Sequence, residues 1–567
     1  MTQPVIVAVD DAPAALAQVE AELTKRYGTD YEIVARRSPE AALVVLRQLR
    51  EAERPVALVL ADLWMTPTSG IEVLGLAGGL HPTARRGLLV DWVDVTRSKR
   101  QLVEAWAMGQ IDCTIRKPAG ARDEQFHHVV TELLREWTKA HGDGRPVVQV
   151  VGEPWSPRCH EVKDLLTRYG ISFKSYALDS PEGRAVLEAA GADAASCPVL
   201  ALADGRVLVN PTNRQAADAF GANLDQVDGE FDLAVVGAGP AGLAVAVYAA
   251  SEGLRTLVVE REAIGGQAGT TSRIRNYLGF PRGVSGSDLA VRAYEQAWYF
   301  GASFRLLREA LVLRPGVPCH TLSLAEGEEV QARAVVVATG VAYRRLGPPS
   351  LERLVGRGVF YGPAVGEAPS MASQSVFVVG AGNSAGQAAV HLARYASRVT
   401  MLVRGDSLAA GMSDYLVTEI RGTRNIEVRF GTEAVGGTGE HRLEQVVVRD
   451  RRRGMEETLP AAGLFVLIGG EPRTQWLPPQ IRRCPRGYVL TGADVAEAVP
   501  HGDPVSCAHW SPGTLPLETS VPGIFAAGDV RHRSVKRVAS AAGEGAMVVA
   551  LVHEHLARAD RALVTPS

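Results

Sequence analysis

Only six cysteines occur in the 567 residues, at positions 113, 159, 197, 319, 484 and 507, and no two of them stand in C-x-x-C spacing. That argues against the disulfide framework of small secreted domains and against a paired-cysteine zinc site. An excess of either charge is also missing. Lys plus Arg number 60 against 63 Asp plus Glu, a net charge of −3, so charge gives no reason to expect nucleic acid or a membrane surface as partner. There is no apolar run of membrane length and no charged-then-apolar leader at Met1, and the expected location is the cytoplasm. The hydrophobic content of 46% is ordinary for a globular chain. The length exceeds what one core can serve, so three or four domains are expected.

The most informative stretch is FDLAVVGAGPAGLAVAVYAASEGLRTLVVERE, 231–262. A short apolar run reads as a buried parallel strand. Gly237, Gly239 and Gly242 follow in GxGxxG spacing, then a small-residue helix, then a second apolar run that ends in Glu260. Gly237 permits the tight strand-to-helix turn, Gly239 lets backbone approach a pyrophosphate, and Gly242 lets helix and strand pack closely. The helix N-terminus offers free N–H groups to phosphates, and Glu260 stands where a carboxylate accepts hydrogen bonds from a ribose. Gly265 and Gly266 in the next loop allow close backbone approach, and Gln267 can hydrogen-bond a polar ring.

The logic repeats in SVFVVGAGNSAGQAAVHLARYASRVTMLVRGDSL, where Gly380, Gly382 and Ala385 form a second fingerprint. Its second strand ends at Arg404 rather than at an acid, which suits a 2′-phosphate and favours NADPH over NADH. Asp406, two residues on, weighs against that, and a plain surface arginine is the alternative. Near the C-terminus a strand runs into Gly528 and Asp529, and an aspartate there can bond a cofactor's polyol chain. The small-residue helix start after Arg537 could aim N–H groups at the pyrimidine edge of a flavin. Two fingerprints imply two nucleotide domains, the second inserted in the first.

GGQ, IRNYLGFP, ATG, GAGNSA and GIFAAGDV, in this order, resemble the thioredoxin reductase family of FAD/NADPH oxidoreductases. The resemblance implies an FAD domain at 229–345 and 475–567, a nicotinamide domain at 346–474, and a homodimer. It implies FAD contacts at Gly237, Gly239, Gly242, Glu260, Gly266, Gln267, Asn276, Gly528, Asp529 and the turn Arg537, Val538, Ala539. In that family a CxxC precedes the nicotinamide-domain glycines. Here Gly362, Pro363, Ala364 and Val365 stand in its place, and no cysteine occurs from Val359 to Gly380. Thiolate–disulfide exchange needs a sulfur nucleophile, so reduction of thioredoxin through the family's internal relay is not expected. Cys319, Cys484 and Cys507 are read as structural.

Toward the N-terminus, PVIVAVDDAP ends in Asp10 and Asp11, VALVLAD ends in Asp62, and a later segment ends in Lys117-Pro118. Carboxylates at the C-terminal ends of parallel strands can converge on a hard cation such as Mg²⁺. Residues 1–140 resemble the flavodoxin-like receiver domain of response regulators. This implies Asp62 as phosphoacceptor, Asp10, Asp11 and Asp62 as Mg²⁺ ligands, Lys117 as phosphate partner, and a histidine kinase as protein partner. The family's Ser or Thr at the end of the fourth strand is replaced by Val90 or Asp91, depending on register. Phosphorylation control and a receiver fold kept only for interaction both stay open.

Residues 146–224 read strand, turn, helix, strand, helix and a hairpin around Asp204-Gly205, an order that resembles the glutaredoxin/thioredoxin fold, with Pro198 as its cis-proline. The nucleophilic cysteine of that family is replaced by Ser156 in Ser156-Pro157-Arg158-Cys159. The expected role is an interaction or spacing module; a noncanonical Cys159–Cys197 redox pair is the sharper alternative.

The chain is therefore expected to be α/β throughout: receiver-like, thioredoxin-like and a two-dinucleotide reductase. The first function hypothesis is an enzyme that moves electrons from NADPH through FAD to an outside acceptor: a small disulfide, a quinone, a small redox protein such as ferredoxin, or oxygen. The cofactors carry that chemistry, and no side chain is assigned as acid or base. A ferredoxin–NADP reductase-like activity is the near variant. A signalling flavoprotein switched by redox state or by Asp62 phosphorylation is the second hypothesis, and an inactive scaffold the third.

Overall fold

The computed structural model of the chain describes residues 3–91, 97–141, 147–153, 155–193, 196–221, 229–362, 365–497 and 515–564. Pro363, Ala364 and Cys507 lie outside the described residues, as does the side chain of Val365. No helix among the described residues is long and apolar enough to cross a membrane.

The front of the chain folds as five parallel strands in the order Glu32–Arg36, Val5–Val9, Val56–Asp62, Arg85–Val90, Cys113–Arg116. Val5–Val9 and Val56–Asp62 are buried at every residue, which is why their runs are continuously apolar rather than alternating. A second unit follows with strand order Phe173–Ala177, Val148–Gly152, Val199–Leu202, Val207–Val209. Its first pair is parallel and the other two antiparallel. The last two strands form the Asp204-Gly205 hairpin, Gly205 having φ +88. The Cys197–Pro198 bond is cis.

The remaining residues form two lobes. In the larger lobe Ser303–Leu306, Thr256–Glu260, Phe231–Val236, Glu329–Val337 and Ile524–Ala526 lie parallel, with the hairpin Ala310–Arg314/His320–Leu324 extending the sheet. The inserted lobe is a parallel sheet in the order Val359–Tyr361, Gly463–Val466, Ser375–Val379, Arg398–Val403, Ile426–Phe430, with a three-stranded antiparallel sheet beside it. The chain crosses between the lobes twice, and the crossings pair as a two-stranded antiparallel ribbon, Val341–Tyr343 with Gly470–Pro472.

Both front units bind both lobes. Trp106 of the first unit lies under the Arg275 guanidinium of the larger lobe, 4.8 Å from ring centroid to Cζ. Arg275 pairs with Glu419 of the inserted lobe at 2.9 and 3.0 Å. Arg273 reaches Asp112 of the first unit at 3.3 Å, and Arg282 pairs with Glu132. Burial pushes the Asp112 carboxyl up, but Arg86, Arg273 and Arg85 outweigh it and hold it far below the carboxylate range. In the second unit, Trp155 packs on the inserted lobe's core, and Pro157 fits over Gly356, where a Cβ would come within 2.9 Å of it.

Candidate functional site

A cleft of about 460 Å³ opens where the lobes meet. On the larger-lobe side the strand Phe231–Val236 passes through Gly237 into the helix Pro240–Ser251. Gly237 has φ +109, and a Cβ there would lie 2.4 Å from the Ala338 carbonyl oxygen, so only glycine makes this turn. Gly239 caps the helix with no side chain, leaving its first N–H groups unobstructed. Gly266 approaches so closely that a Cβ on it would lie 3.2 Å from Gly239 Cα. This is a cradle shaped for a thin, hydrogen-bond-accepting group such as a pyrophosphate, and it fits a dinucleotide.

Glu260 ends the next strand and is 9% exposed. Its Oε2 accepts from the Ala238 amide and its Oε1 from the Glu262 amide, both at 2.7 Å, so the carboxylate is fixed at the cleft edge. Gln267 lines the cleft and donates from Nε2 to the Val341 carbonyl oxygen at 2.8 Å. Asn276, Gly528, Asp529, Arg537 and Val538 line it too; Ala539 does not. Asp529 is pushed up from its ordinary pKa by burial, only partly offset by Lys536. The Lys536 ammonium donates to the Asp529 carbonyl oxygen. The Gly528 amide donates to Glu544 at 2.7 Å.

From the inserted lobe Asn383, Ser384 and Gln387 reach the same cleft, on the helix Asn383–Leu392 that follows Gly380 and Gly382. Gly380, Gly382 and Ala385 do not line the cleft; Ala385 is fully buried. Arg404 stands elsewhere, at a second cleft of about 440 Å³ where Arg344, Arg345 and Arg449 join it. Among the described residues Arg404 has no side-chain ion pair, whereas Arg344, Arg345 and Arg449 pair with Glu471, Glu352 and Glu456. Asp406 is taken up by Arg452. No cysteine lines either cleft among the described residues.

Sequence reasoning did not find Arg344, Arg345 and Arg449, nor the three side chains of the second unit, His160, Asp164 and Arg168, that line the large cleft. The i, i+4 spacing of those three was visible, but such a stripe reads by itself as a solvated helix face. Arg473 lines the cleft as well. It bonds Glu262 at 2.7 Å; burial pushes that carboxyl up, but Arg473, Arg261 and Arg168 hold it at about 2.

In the first unit, Asp10, Asp11 and Asp62 offer carboxylate oxygens within 4.8 Å of one another. Lys117 bridges Asp10 at 2.8 Å and Asp62 at 2.6 Å. Burial raises the Asp62 carboxyl against the pull of Lys117. The donor set, three carboxylates, is the kind a hard divalent cation takes. The fourth strand ends at Val90, which is buried; Asp91 is exposed.

In the second unit Ser156 caps the helix Pro157–Arg168, its Oγ accepting from the Cys159 amide at 3.4 Å. Cys159 is buried, and its Sγ fills the space a Cβ on Gly152 would need. Burial raises the thiols of both Cys159 and Cys197, the opposite of what a reactive thiolate requires. Cys113 is pushed up to about 12 by burial and by Asp112.

The pattern of the pyridine nucleotide-disulphide oxidoreductase family matches residues 231–545. A 34.2 kDa protein in the rubredoxin operon of Clostridium pasteurianum is 31% identical over 329 residues, 58% of this chain and 97% of that protein. The bifunctional thioredoxin reductase/thioredoxin of Mycobacterium leprae (strain TN) is 33% identical over 314 residues, 55% of this chain and 63% of that one. The solved thioredoxin reductase of T. acidophilum is 26% identical with a TM-score of 0.51, over 58% of this chain and 99% of its own. The family match begins after both front units.

Proposed function

The chain belongs to the pyridine nucleotide-disulphide oxidoreductase family, and from that premise we propose that it is a FAD-dependent NADPH oxidoreductase whose electrons leave the flavin for an acceptor outside its own thiols. The observation that carries this is the cleft itself. Both fingerprint helices contribute to it, and no cysteine lines it among the described residues. When bound, FAD supplies the two-electron chemistry between nicotinamide and acceptor. The protein's own groups bind and orient. Gly237, Gly239 and Gly266 admit the pyrophosphate, Glu260 receives the ribose, and Asp529 meets the polyol chain. Arg404, with Arg344, Arg345 and Arg449, holds the 2′-phosphate that distinguishes NADPH.

Anaerobic mixing of purified holoprotein with NADPH, followed at the flavin absorbance, tests this reading. Bleaching within minutes is expected, then reoxidation by one member of a panel holding a quinone, a small disulfide, ferredoxin, rubredoxin and oxygen. Rubredoxin is included because a relative is encoded in a rubredoxin operon. Holoprotein whose flavin stays oxidised under NADPH would overturn the reading, and efficient turnover of thioredoxin would overturn the expectation that the missing C-x-x-C bars that substrate.

The acid cluster favours a second reading, in which residues 1–140 are a receiver that takes Mg²⁺ at Asp10, Asp11 and Asp62 and a phosphoryl group at Asp62. Burial and a lysine bridging two of the three acids are its support. Treatment with a small phosphodonor and Mg²⁺ is expected to add one phosphoryl group to wild type and none to Asp62→Asn.

A further inference from the structure

The helix Pro157–Arg168 belongs to the second unit, outside the family match, yet it forms a wall of the large cleft. His160, Asp164 and Arg168 are spaced one turn apart on one face, and all three line the cleft. The opposite face, with Val162, Leu165 and Leu166, is buried in the unit's own core.

Arg168 is only 7% exposed. Its Nη2 donates to the Ala263 carbonyl oxygen at 2.8 Å and to that of Gly266 at 3.4 Å. Its Nη1 lies 3.6 Å from Glu262 and 3.7 Å from Asp164. A guanidinium is buried without severe cost only when oxygens meet it on several sides, and three of these four partners belong to residues 262–266. That segment carries the close approach of Gly266 to Gly239, and it leads into Gln267 at the cleft. The loop has its own ties to the larger lobe, such as the Gly265 amide to the Ala238 carbonyl oxygen at 2.7 Å. Glu262 is also tied at 2.7 Å by Arg473 of the reductase lobes, whereas the guanidinium that meets the Ala263 and Gly266 carbonyl oxygens comes from the second unit.

We propose that Arg168 is a positioning residue for the cofactor: it holds the 263–267 loop in the shape that receives a flavin dinucleotide, so the second unit completes the FAD site. The inference rests on the FAD reading above. Its bond pattern also assigns the unit a task that needs no redox-active cysteine.

The test uses full-length apoprotein titrated with FAD, followed by flavin fluorescence and by visible circular dichroism of the bound flavin. Thermal melting of each apoprotein is measured alongside. Arg168→Met is expected to weaken FAD binding about tenfold or more, the scale of a charge-assisted hydrogen bond, and to alter the dichroism of the flavin that binds. Arg168→Lys is expected to fall between Met and wild type, because an ammonium is a point donor that cannot serve both carbonyls as the fork does. Wild-type affinity in Arg168→Met overturns the proposal. So does an equal loss in both variants that tracks a fall in apoprotein melting. Should Arg168→Met fail to fold, Arg168→Lys decides: unchanged affinity and dichroism overturn the proposal, and weaker binding at unchanged melting supports it. Failure of wild-type apoprotein to take up FAD would sink the cofactor reading itself, and the role of Arg168 with it.

Discussion

Lys163 Nζ lies 2.8 Å from Glu367 Oε1 and 2.9 Å from Oε2, with the two side chains 7% and 1% exposed. The pair joins the second unit to the inserted lobe, six residues on from the 359–361 strand. His160 Nδ1 meets the same carboxylate at 2.9 Å. Burial pushes the Glu367 carboxyl up, and His160 and Lys163 together hold it below its ordinary range. A buried ion pair need not stabilise relative to an apolar pair, but removing one partner is costly.

Lys163→Met is therefore expected to destabilise this junction by roughly 3 kcal/mol, and Lys163→Met with Glu367→Leu to recover most of the loss. Hydrogen exchange over 155–168 and 365–371 is the measurement. Unchanged protection in the single variant would show that the pair does not hold the junction.

Arg404 carries the next expectation. Arg404→Ala should raise KM for NADPH about tenfold or more and leave KM for NADH nearly unmoved, because the 2′-phosphate proposed to meet this guanidinium is the one group NADH lacks. Parallel changes for both nucleotides would remove Arg404 from coenzyme selection.

Acid stability should depend on His320. Burial, and after it the neighbouring His555, depress its pKa from 6.5 to about 4. His555 Nδ1 lies 3.9 Å from Glu518, and the Gly316 amide donates to His320 Nδ1 at 3.3 Å. Above pH 6.5 the ring is neutral folded or unfolded. As pH falls from 6.5 toward 4 the unfolded chain takes up the proton first, so stability present above that window is lost through it. The loss approaches about 3 kcal/mol for this one group. The melting temperature of wild type should fall more steeply over that range than that of His320→Gln; equal slopes would exclude His320 as the cause.

Local chemistry made part of this molecule legible. The strand Thr256–Glu260 and its acid follow a glycine turn and a small-residue helix, so each neighbour constrains the next. The 199–209 hairpin declares itself through Asp204-Gly205, whose glycine takes the positive φ the turn needs. The arginines around Arg404 were not legible. Arg344 and Arg345 adjoin the inter-lobe ribbon and Arg449 lies within the strand Gln445–Asp450 of the small antiparallel sheet, so only the fold brings them together. His160, Asp164 and Arg168 were hidden for a different reason. The partners of His160 and Arg168, namely Glu367, Ala263 and Gly266, lie about a hundred residues or more away, and no local pattern announces that another lobe covers a charged helix face.

The two-stranded ribbon has one more implication. A joint that narrow offers little resistance to twisting, yet two separate bodies are fastened across it, one through Trp106 over the Arg275–Glu419 pair and one through the Pro157–Arg168 helix. The front of the chain is placed as a splint: shortening the protein to its reductase half would remove both of those braces and leave the pivot to direct ties between the lobes such as Arg275–Glu419.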